Sequence, residues 1–236
     1  MLNRKYINII IVIYSVFFYL PATGQTNCYL NKIVDEFKKE WPHNHTVNLV
    51  FHGHSVPTGY FRTPEVRTFD SYPYLLLKDL KQIYLNAVIN VITTSVGGEN
   101  STQGAKRFKK EVLVHRPDVL FIDYALNDRK IGIEKSRHNL ERMIRAALKK
   151  KIAVILLTPS ADLTEDLLKN DNPLQMFSVV IKQLADKYKI GVVDSYAQFR
   201  QLVVDKKDLK EYMTQSNHPN RKGHELIVEE LMKCFR

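Results

Sequence analysis

The chain has 236 residues, 44% of them hydrophobic, and a formal net charge of +10 at pH 7, a length and apolar content that predict one globular domain. Its aromatic residues are not interleaved with its lysines as a single-stranded nucleic-acid surface requires, so we predict no nucleic-acid partner. The charge favours an anionic partner, such as an acidic polysaccharide or a membrane surface, although much of it is dispersed lysine typical of solvated helix faces.

The first 24 residues have the pattern of a secretory signal peptide. Arg4 and Lys5 precede an uncharged apolar run from Tyr6 to Leu20, and small residues follow at Ala22 and Gly24. We expect cleavage after Gly24, a single mature domain over residues 25–236, and a periplasmic or secreted protein. A retained N-terminal anchor is the alternative, but the apolar run is shorter than the roughly 20 residues that span a bilayer.

Short apolar runs then alternate with longer amphipathic ones. The predicted strands are Val47–Phe51, Val88–Thr93, Val119–Tyr124, Ala153–Leu157 and Gly191–Asp194, and four of them are nearly continuous apolar runs, typical of strands buried on both faces. The predicted helices are Tyr29–Glu40, Tyr74–Tyr84, Thr102–His115, Glu134–Lys150, Pro173–Tyr188 and a last one from about Arg221 to Cys234. This alternation predicts a three-layer αβα sandwich around a parallel sheet of about five strands.

In an open parallel sheet the ligand binds at the carboxyl ends of the strands, so the residues that follow each apolar run are the candidates for chemistry. Ser55 follows the first strand and is the candidate nucleophile, with its own N–H facing an oxyanion. Gly98 follows the second strand and Asn127 the third, and they would add a backbone and an amide donor. His218 precedes the last helix and is the candidate general base.

These residues lie in blocks that resemble those of the SGNH, or GDSL, hydrolase superfamily. "FHGHS" corresponds to the nucleophile block, "VGGENS" to the glycine block, "ALND" to the Gly-x-Asn-Asp block and "QSNHPNRKGHEL" to the histidine block, in the family's order across the mature chain. The resemblance implies a flavodoxin-like fold and ester hydrolysis through an acyl-serine, without a metal or other cofactor. It implies that Ser55 is the nucleophile, that Ser55, Gly98 and Asn127 form the oxyanion hole, and that His218 is the base.

The chain departs from that pattern at three positions. His54 stands where the family has the Asp of its first block, and Ala125 stands where the third block has Gly. Gln215 lies three residues before His218, where the family has the Asp that orients the imidazole. A neutral amide stabilises imidazolium less than a carboxylate does, so Gln215 or a backbone carbonyl would have to fix the tautomer, leaving a Ser–His dyad. The alternative is an acid recruited from elsewhere, such as Glu99 or Asp128.

The segment after the first strand, "PTGYFRTPEVRTFDSYP", is rich in aromatic residues and arginine. Long loops at the active face of a sheet are usually functional, and Tyr60, Arg62 and Arg67 would stack against a sugar ring or attract a carboxylate. A surface loop that packs its own aromatic rings is the alternative.

His54 is interpreted as lining the pocket beside the nucleophile, since the histidine spacing names no convergent metal ligands.

The sequence thus predicts a secreted serine esterase that removes small acyl groups, O-acetyl above all, from a small-molecule or polysaccharide substrate, which is acidic if the charge is relevant. A lipase or lysophospholipase, and a carbohydrate-binding protein that has lost turnover, are the alternatives.

Cys28 and Cys234 lie near the two ends of the mature chain, which often meet in a compact domain. A Cys28–Cys234 disulfide is therefore a hypothesis for an exported protein, against two unpaired thiols.

Overall fold

The structure is a computed structural model that describes residues 29–236. Its centre is a parallel sheet of five strands in the order β2-β1-β3-β4-β5. The strands are β1 Thr46–Gly53, β2 Val88–Thr93, β3 Val119–Asp123, β4 Ala153–Leu157 and β5 Gly191–Val193, and a separate antiparallel hairpin pairs β6 Met213–Gln215 with β7 His218–Pro219. The predicted parallel sheet and three-layer sandwich are confirmed.

Helices cover both faces of the sheet. They are α1 Asn31–Phe37, α2 Ser55–Thr58, α3 Tyr72–Ile83, α4 Ser101–Glu111, α5 Ala125–Asp128, α6 Ile133–Leu148, α7 Pro173–Tyr188, α8 Ser195–Val204 and α9 Arg221–Met232. On one face the core contains α1, α3, α8 and α9, and on the other it contains α4, α6 and α7. Alternate residues of β1 and β3 enter the two cores, so Phe51 and Phe121 stack on one face while Val50 and Leu120 pack on the other.

Local sequence signals account for the starts of helices α7 and α4. Asn172 caps α7 by accepting hydrogen bonds from the N–H groups of Leu174 and Gln175, and Pro173 occupies the first helical position. Asn100 and Gln103 form a reciprocal capping box at the start of α4. These signals place the two helices within a residue of the predicted starts.

The structure differs from the predicted elements in three places. β2 is an edge strand with half-exposed and exposed side chains, so the expectation of burial on both faces is wrong for it. The stretch predicted as one helix to His115 ends as α4 at Glu111 and continues as a 3₁₀ turn. The short helices α2 and α5, helix α8 and the β6–β7 hairpin were not predicted, because none of them is introduced by a strongly periodic apolar run.

Two N-terminal predictions fall outside the described residues. The signal peptide lies there entirely, and so does Cys28, while Cys234 is buried in the core beside α9. The disulfide therefore stays a prediction. Across residues 29–236, every helix is too short or too polar to cross a bilayer.

Candidate active site

The first strand delivers Ser55 to the carboxyl edge of the sheet. β1 ends at Gly53, His54 follows, and Ser55 is the first residue of the short helix α2. A Cβ atom at position 53 would lie 2.4 Å from the Asp123 carbonyl oxygen on β3, so only glycine fits where the two strands approach so closely. Glycine at this position therefore brings residues 53–59, which we call the nucleophile turn, against β3.

The β6–β7 hairpin places His218 against Ser55. The two residues are 163 positions apart in the chain, yet His218 Nε2 lies 2.9 Å from Ser55 Oγ, and both side chains are buried. That distance is within the reach a general base needs to take the hydroxyl proton. The structure thus brings together the two side chains that the sequence predicts as nucleophile and base.

The other imidazole nitrogen is held by the backbone. His218 Nδ1 lies 2.9 Å from the carbonyl oxygen of Phe61, in the loop after α2. A carbonyl oxygen can only accept, so the proton resides on Nδ1 and the lone pair on Nε2 faces Ser55. Phe61 thereby fixes the tautomer that a general base requires.

The Gln215 side chain forms no hydrogen bond with the His218 imidazole within residues 29–236, whereas the other orienter considered, a backbone carbonyl, does. Gln215 Oε1 instead accepts a hydrogen bond of 3.2 Å from the Thr63 N–H, two residues beyond Phe61. Gln215 therefore ties the hairpin to the loop that supplies the carbonyl, and it acts on His218 only through that loop.

The two acids considered for recruitment are engaged elsewhere. Glu99 pairs with Arg107 at 2.7 Å. Asp128 accepts hydrogen bonds of 2.7 Å from the Ser101 N–H and 2.5 Å from Ser136 Oγ. Burial raises the pKa of Asp128 above its usual range. Among residues 29–236, none of the carboxylates forms an ion pair with His218, so the dyad depends on the Phe61 carbonyl.

Burial also sets the charge state of the base. It lowers the pKa of His218 below its usual value of 6.5, and the nearby His54 lowers that pKa further, while the hydrogen bond to Phe61 opposes the shift. The imidazole is therefore neutral, and competent as a base, at neutral pH.

His54 is buried rather than exposed to a substrate. Its side chain is 1% exposed, and its Nδ1 accepts a hydrogen bond of 3.2 Å from the Val56 N–H at the start of α2. Its Nε2 lies 3.3 Å from Asp123 Oδ1, a close electrostatic contact whose geometry falls short of a hydrogen bond. The expectation that His54 lines the substrate pocket is therefore wrong, because the ring caps the nucleophile turn from inside.

Asp123 is a functional candidate that the sequence analysis missed. It ends β3, where the register places it beside Gly53, and its Oδ2 accepts a hydrogen bond of 3.1 Å from the Tyr72 hydroxyl. Because the Val56 N–H occupies His54 Nδ1, the ring carries its proton on Nε2, the atom that faces Asp123. Asp123 thus places a carboxylate, from the neighbouring strand, 3.3 Å from the residue that stands where the nucleophile block has Asp.

Two of the predicted oxyanion donors follow β2 and β3, Gly98 in a loop and Asn127 in the short helix α5. Gly98 has φ +79°, a left-handed conformation that favours glycine, and a Cβ atom there would meet open space. Its N–H has no acceptor among the residues that the structure describes. Asn127 donates one amide hydrogen to the Glu99 carbonyl at 2.8 Å, which leaves the second for a ligand.

The side chains of the aromatic and arginine-rich loop lie in two places, one beside His218 and one in a cleft. A Cβ atom at Gly97 would lie 2.9 Å from the Tyr60 ring, whose centroid is 6.1 Å from that of His218, so Tyr60 lines the reacting centre. Arg62 and Arg67 line a separate cleft on the other side of Phe61. Within residues 29–236, no three histidine, cysteine or acidic side chains converge as metal ligands.

Comparison with known proteins gives a family match and a set of similar folds. The model of the GDSL-like lipase/acylhydrolase family matches residues 51–226, three quarters of the chain. The search of curated proteins returns no match.

Two similar solved structures are esterases. A two-domain esterase active on acetylated mannans superposes with a TM-score of 0.72 at 22% identity, over 88% of this chain and 52% of its own. This chain thus spans about half of that protein. The acetylxylan esterase Axe2 of Geobacillus stearothermophilus superposes with a TM-score of 0.70 at 18% identity, over 80% of this chain and 94% of its own. At these identities the likeness shows a shared fold.

Proposed function

The chain belongs to the GDSL-like lipase/acylhydrolase family of carboxylic ester hydrolases, and on that premise we propose that it is an exported serine esterase. It would remove small acyl groups, above all O-acetyl groups, from carbohydrate. The observation that carries the proposal is the continuous hydrogen-bonded path from Ser55 Oγ through His218 to the Phe61 carbonyl.

The first half-reaction follows from that path. Ser55 Oγ attacks the ester carbonyl carbon while His218 Nε2 takes its proton. The negative oxygen of the tetrahedral intermediate accepts hydrogen bonds from the Ser55 N–H, the Gly98 N–H and the free amide hydrogen of Asn127. When the intermediate collapses, the C–O bond to the sugar breaks, and His218 returns its proton to the leaving alkoxide.

Deacylation repeats these steps with water. His218 Nε2, again neutral, removes a proton from a water molecule that attacks the acyl-Ser55 carbonyl. The second intermediate expels Ser55 Oγ, which regains its proton from His218, and the carboxylic acid leaves. Because the Phe61 carbonyl is a dipole and not a full charge, it orients the imidazole but stabilises the imidazolium of each step less than a carboxylate would.

A carbohydrate substrate is supported by two observations. Tyr60 presents an aromatic ring beside the base, and rings of this kind commonly stack on sugars. The two structural neighbours are described as esterases of acetylated mannans and of acetylxylan.

The proposal is tested with aryl esters of increasing chain length. We expect turnover of 4-nitrophenyl acetate that falls as the acyl chain lengthens, with Ser55→Ala lowering kcat by roughly 10³-fold or more. A fluorophosphonate should label the wild type at Ser55 and leave Ser55→Ala unlabelled. Preference for long acyl chains would indicate a lipase, and absence of both turnover and labelling would indicate a binding protein without catalysis.

A further inference from the structure

A cleft that the proposed mechanism does not use lies beside the β6–β7 hairpin, residues 213–219, which we call the histidine hairpin. The cleft has a volume of about 490 Å³ and is formed by the loop after α2, strand β6 and the start of α9. Four cations, Arg62, Arg67, Arg221 and Lys222, line it, against one carboxylate, Glu65. We call this the basic cleft.

Two of these cations are already neutralised. Arg67 pairs with Glu65 at 2.6 Å, and Arg221 pairs with Asp70 at 2.7 Å and with Glu225 at 2.9 Å. Both guanidinium groups already have carboxylate partners, and about half of each side chain is exposed to solvent.

The other two cations remain available to a ligand. Arg62 is exposed and forms no ion pair with any carboxylate in residues 29–236, and the carboxylate nearest to Lys222 is that of Glu211, at 3.8 Å. An anion entering the basic cleft would therefore meet Arg62 and Lys222 without displacing a short ion pair. That is the arrangement expected of a site for a carboxylate or sulfate group.

Phe61 connects the basic cleft to the reacting centre. Its ring lies 5.1 Å from the guanidinium carbon of Arg67 on the cleft side, and its carbonyl oxygen accepts the His218 hydrogen bond on the other. The single buried residue Phe61 therefore separates a ligand in the basic cleft from His218. This closeness suits a polymer that places its ester at Ser55 and a neighbouring unit behind the hairpin.

We propose that the basic cleft is a subsite for the carboxylate groups of an acidic polysaccharide, such as uronate residues flanking the acetylated sugar. A neutral glycan would gain little from these cations, whereas a carboxylate would form charge-assisted hydrogen bonds with Arg62 and with Lys222, whose ion pair with Glu211 is 3.8 Å long. The inference rests on the proposed esterase function, because it names the substrate class of that same site.

The kinetic test compares substrates that differ in charge. The double variant Arg62→Gln/Lys222→Gln is assayed on acetylated oligogalacturonides and on acetylated xylo-oligosaccharides. We expect the ratio of kcat/KM for the acidic to the neutral substrate to fall by about tenfold, through KM, and to lose part of its salt dependence. Lys109→Gln/Lys110→Gln removes the same charge from an exposed face of α4 and should leave the ratio unchanged.

A binding measurement separates this inference from the esterase activity. Calorimetry with unacetylated oligogalacturonide should show binding to the wild type that Arg62→Gln/Lys222→Gln weakens by about tenfold, whether or not esters are hydrolysed. Inorganic sulfate is titrated alongside, and sulfate binding as tight as the oligosaccharide would make the cleft a site for free anions instead. Equal ratios in the two double variants, or no oligosaccharide binding, would overturn the proposal.

Discussion

The nucleophile turn, residues 53–59, and the histidine hairpin, residues 213–219, each lack the acid found in the matching block of the family, and the structure fills the two gaps differently. At the nucleophile turn a carboxylate from the neighbouring strand lies nearby, because Asp123 faces the ring of His54. At the histidine hairpin the Phe61 carbonyl accepts the hydrogen bond of His218 Nδ1 in place of a carboxylate.

The difference separates two tasks that one aspartate performs elsewhere. Fixing a tautomer requires only a hydrogen-bond acceptor in the right place, which a backbone carbonyl is. Stabilising a developing positive charge requires negative charge nearby, which a carbonyl supplies only in part. We therefore expect the hairpin to keep the orientation of the base but to hold its imidazolium less firmly.

Position 98 keeps the glycine of the family's second block, and of the single substitutions outside the Ser55–His218 pair we expect the largest effect there. Gly98→Ala forces a side chain to φ +79° and into the open space where we propose that the oxyanion forms, so we expect kcat to fall roughly 30-fold. Gly132→Ala is the matched control, because Gly132 has φ +82° with equally open space but lies at the start of α6. Equal losses of activity in the two variants would remove Gly98 from the oxyanion hole.

Substituting His54 by aspartate, the residue that the family has there, tests the contact between the nucleophile turn and Asp123. His54→Asp places a second carboxylate beside Asp123 in a buried position, so we expect the free energy of unfolding to fall by roughly 2–4 kcal/mol and kcat to fall about tenfold. Adding Asp123→Asn should recover most of both losses, since the introduced carboxylate would again cap the turn and a neutral amide would face it. Thermal unfolding and kcat are measured for both variants.

A surface pair controls for the charge change. His45 lies 3.2 Å from Glu36 with its side chain 79% exposed, so His45→Asp brings two carboxylates together in water and should destabilise far less. If the double variant His54→Asp/Asp123→Asn is no better than His54→Asp alone, Asp123 does not supply the missing carboxylate.

The smallest effect is expected at the hairpin. Gln215→Ala removes the acceptor of the Thr63 N–H and loosens the loop that holds the Phe61 carbonyl, so kcat should fall about threefold to fivefold with KM little changed. Gln215→Glu retains an acceptor oxygen and should keep most of the activity. An undiminished kcat for Gln215→Ala would show that the loop holds Phe61 without this contact.

The apolar runs predicted the sheet, and the joint placement of the four blocks, with the resemblance they carry, paired Ser55 with His218. A backbone carbonyl was one of the orienters considered for His218, but the sequence could not say which one, since a backbone carbonyl leaves no signal in the identity of Phe61. The contact between His54 and Asp123 depends on β1 lying beside β3, an order that the pattern of strands and helices does not specify.

The pH dependence of kcat/KM for 4-nitrophenyl acetate tests the central claim that His218 acts as base without a carboxylate. Burial lowers the pKa of His218, and only the neutral imidazole accepts the serine proton, so activity should be constant above neutrality and fall as the pH drops. We predict a single midpoint below 6.5, the usual value for histidine. A midpoint above 6.5 would contradict the account, because it would require a carboxylate that stabilises the imidazolium.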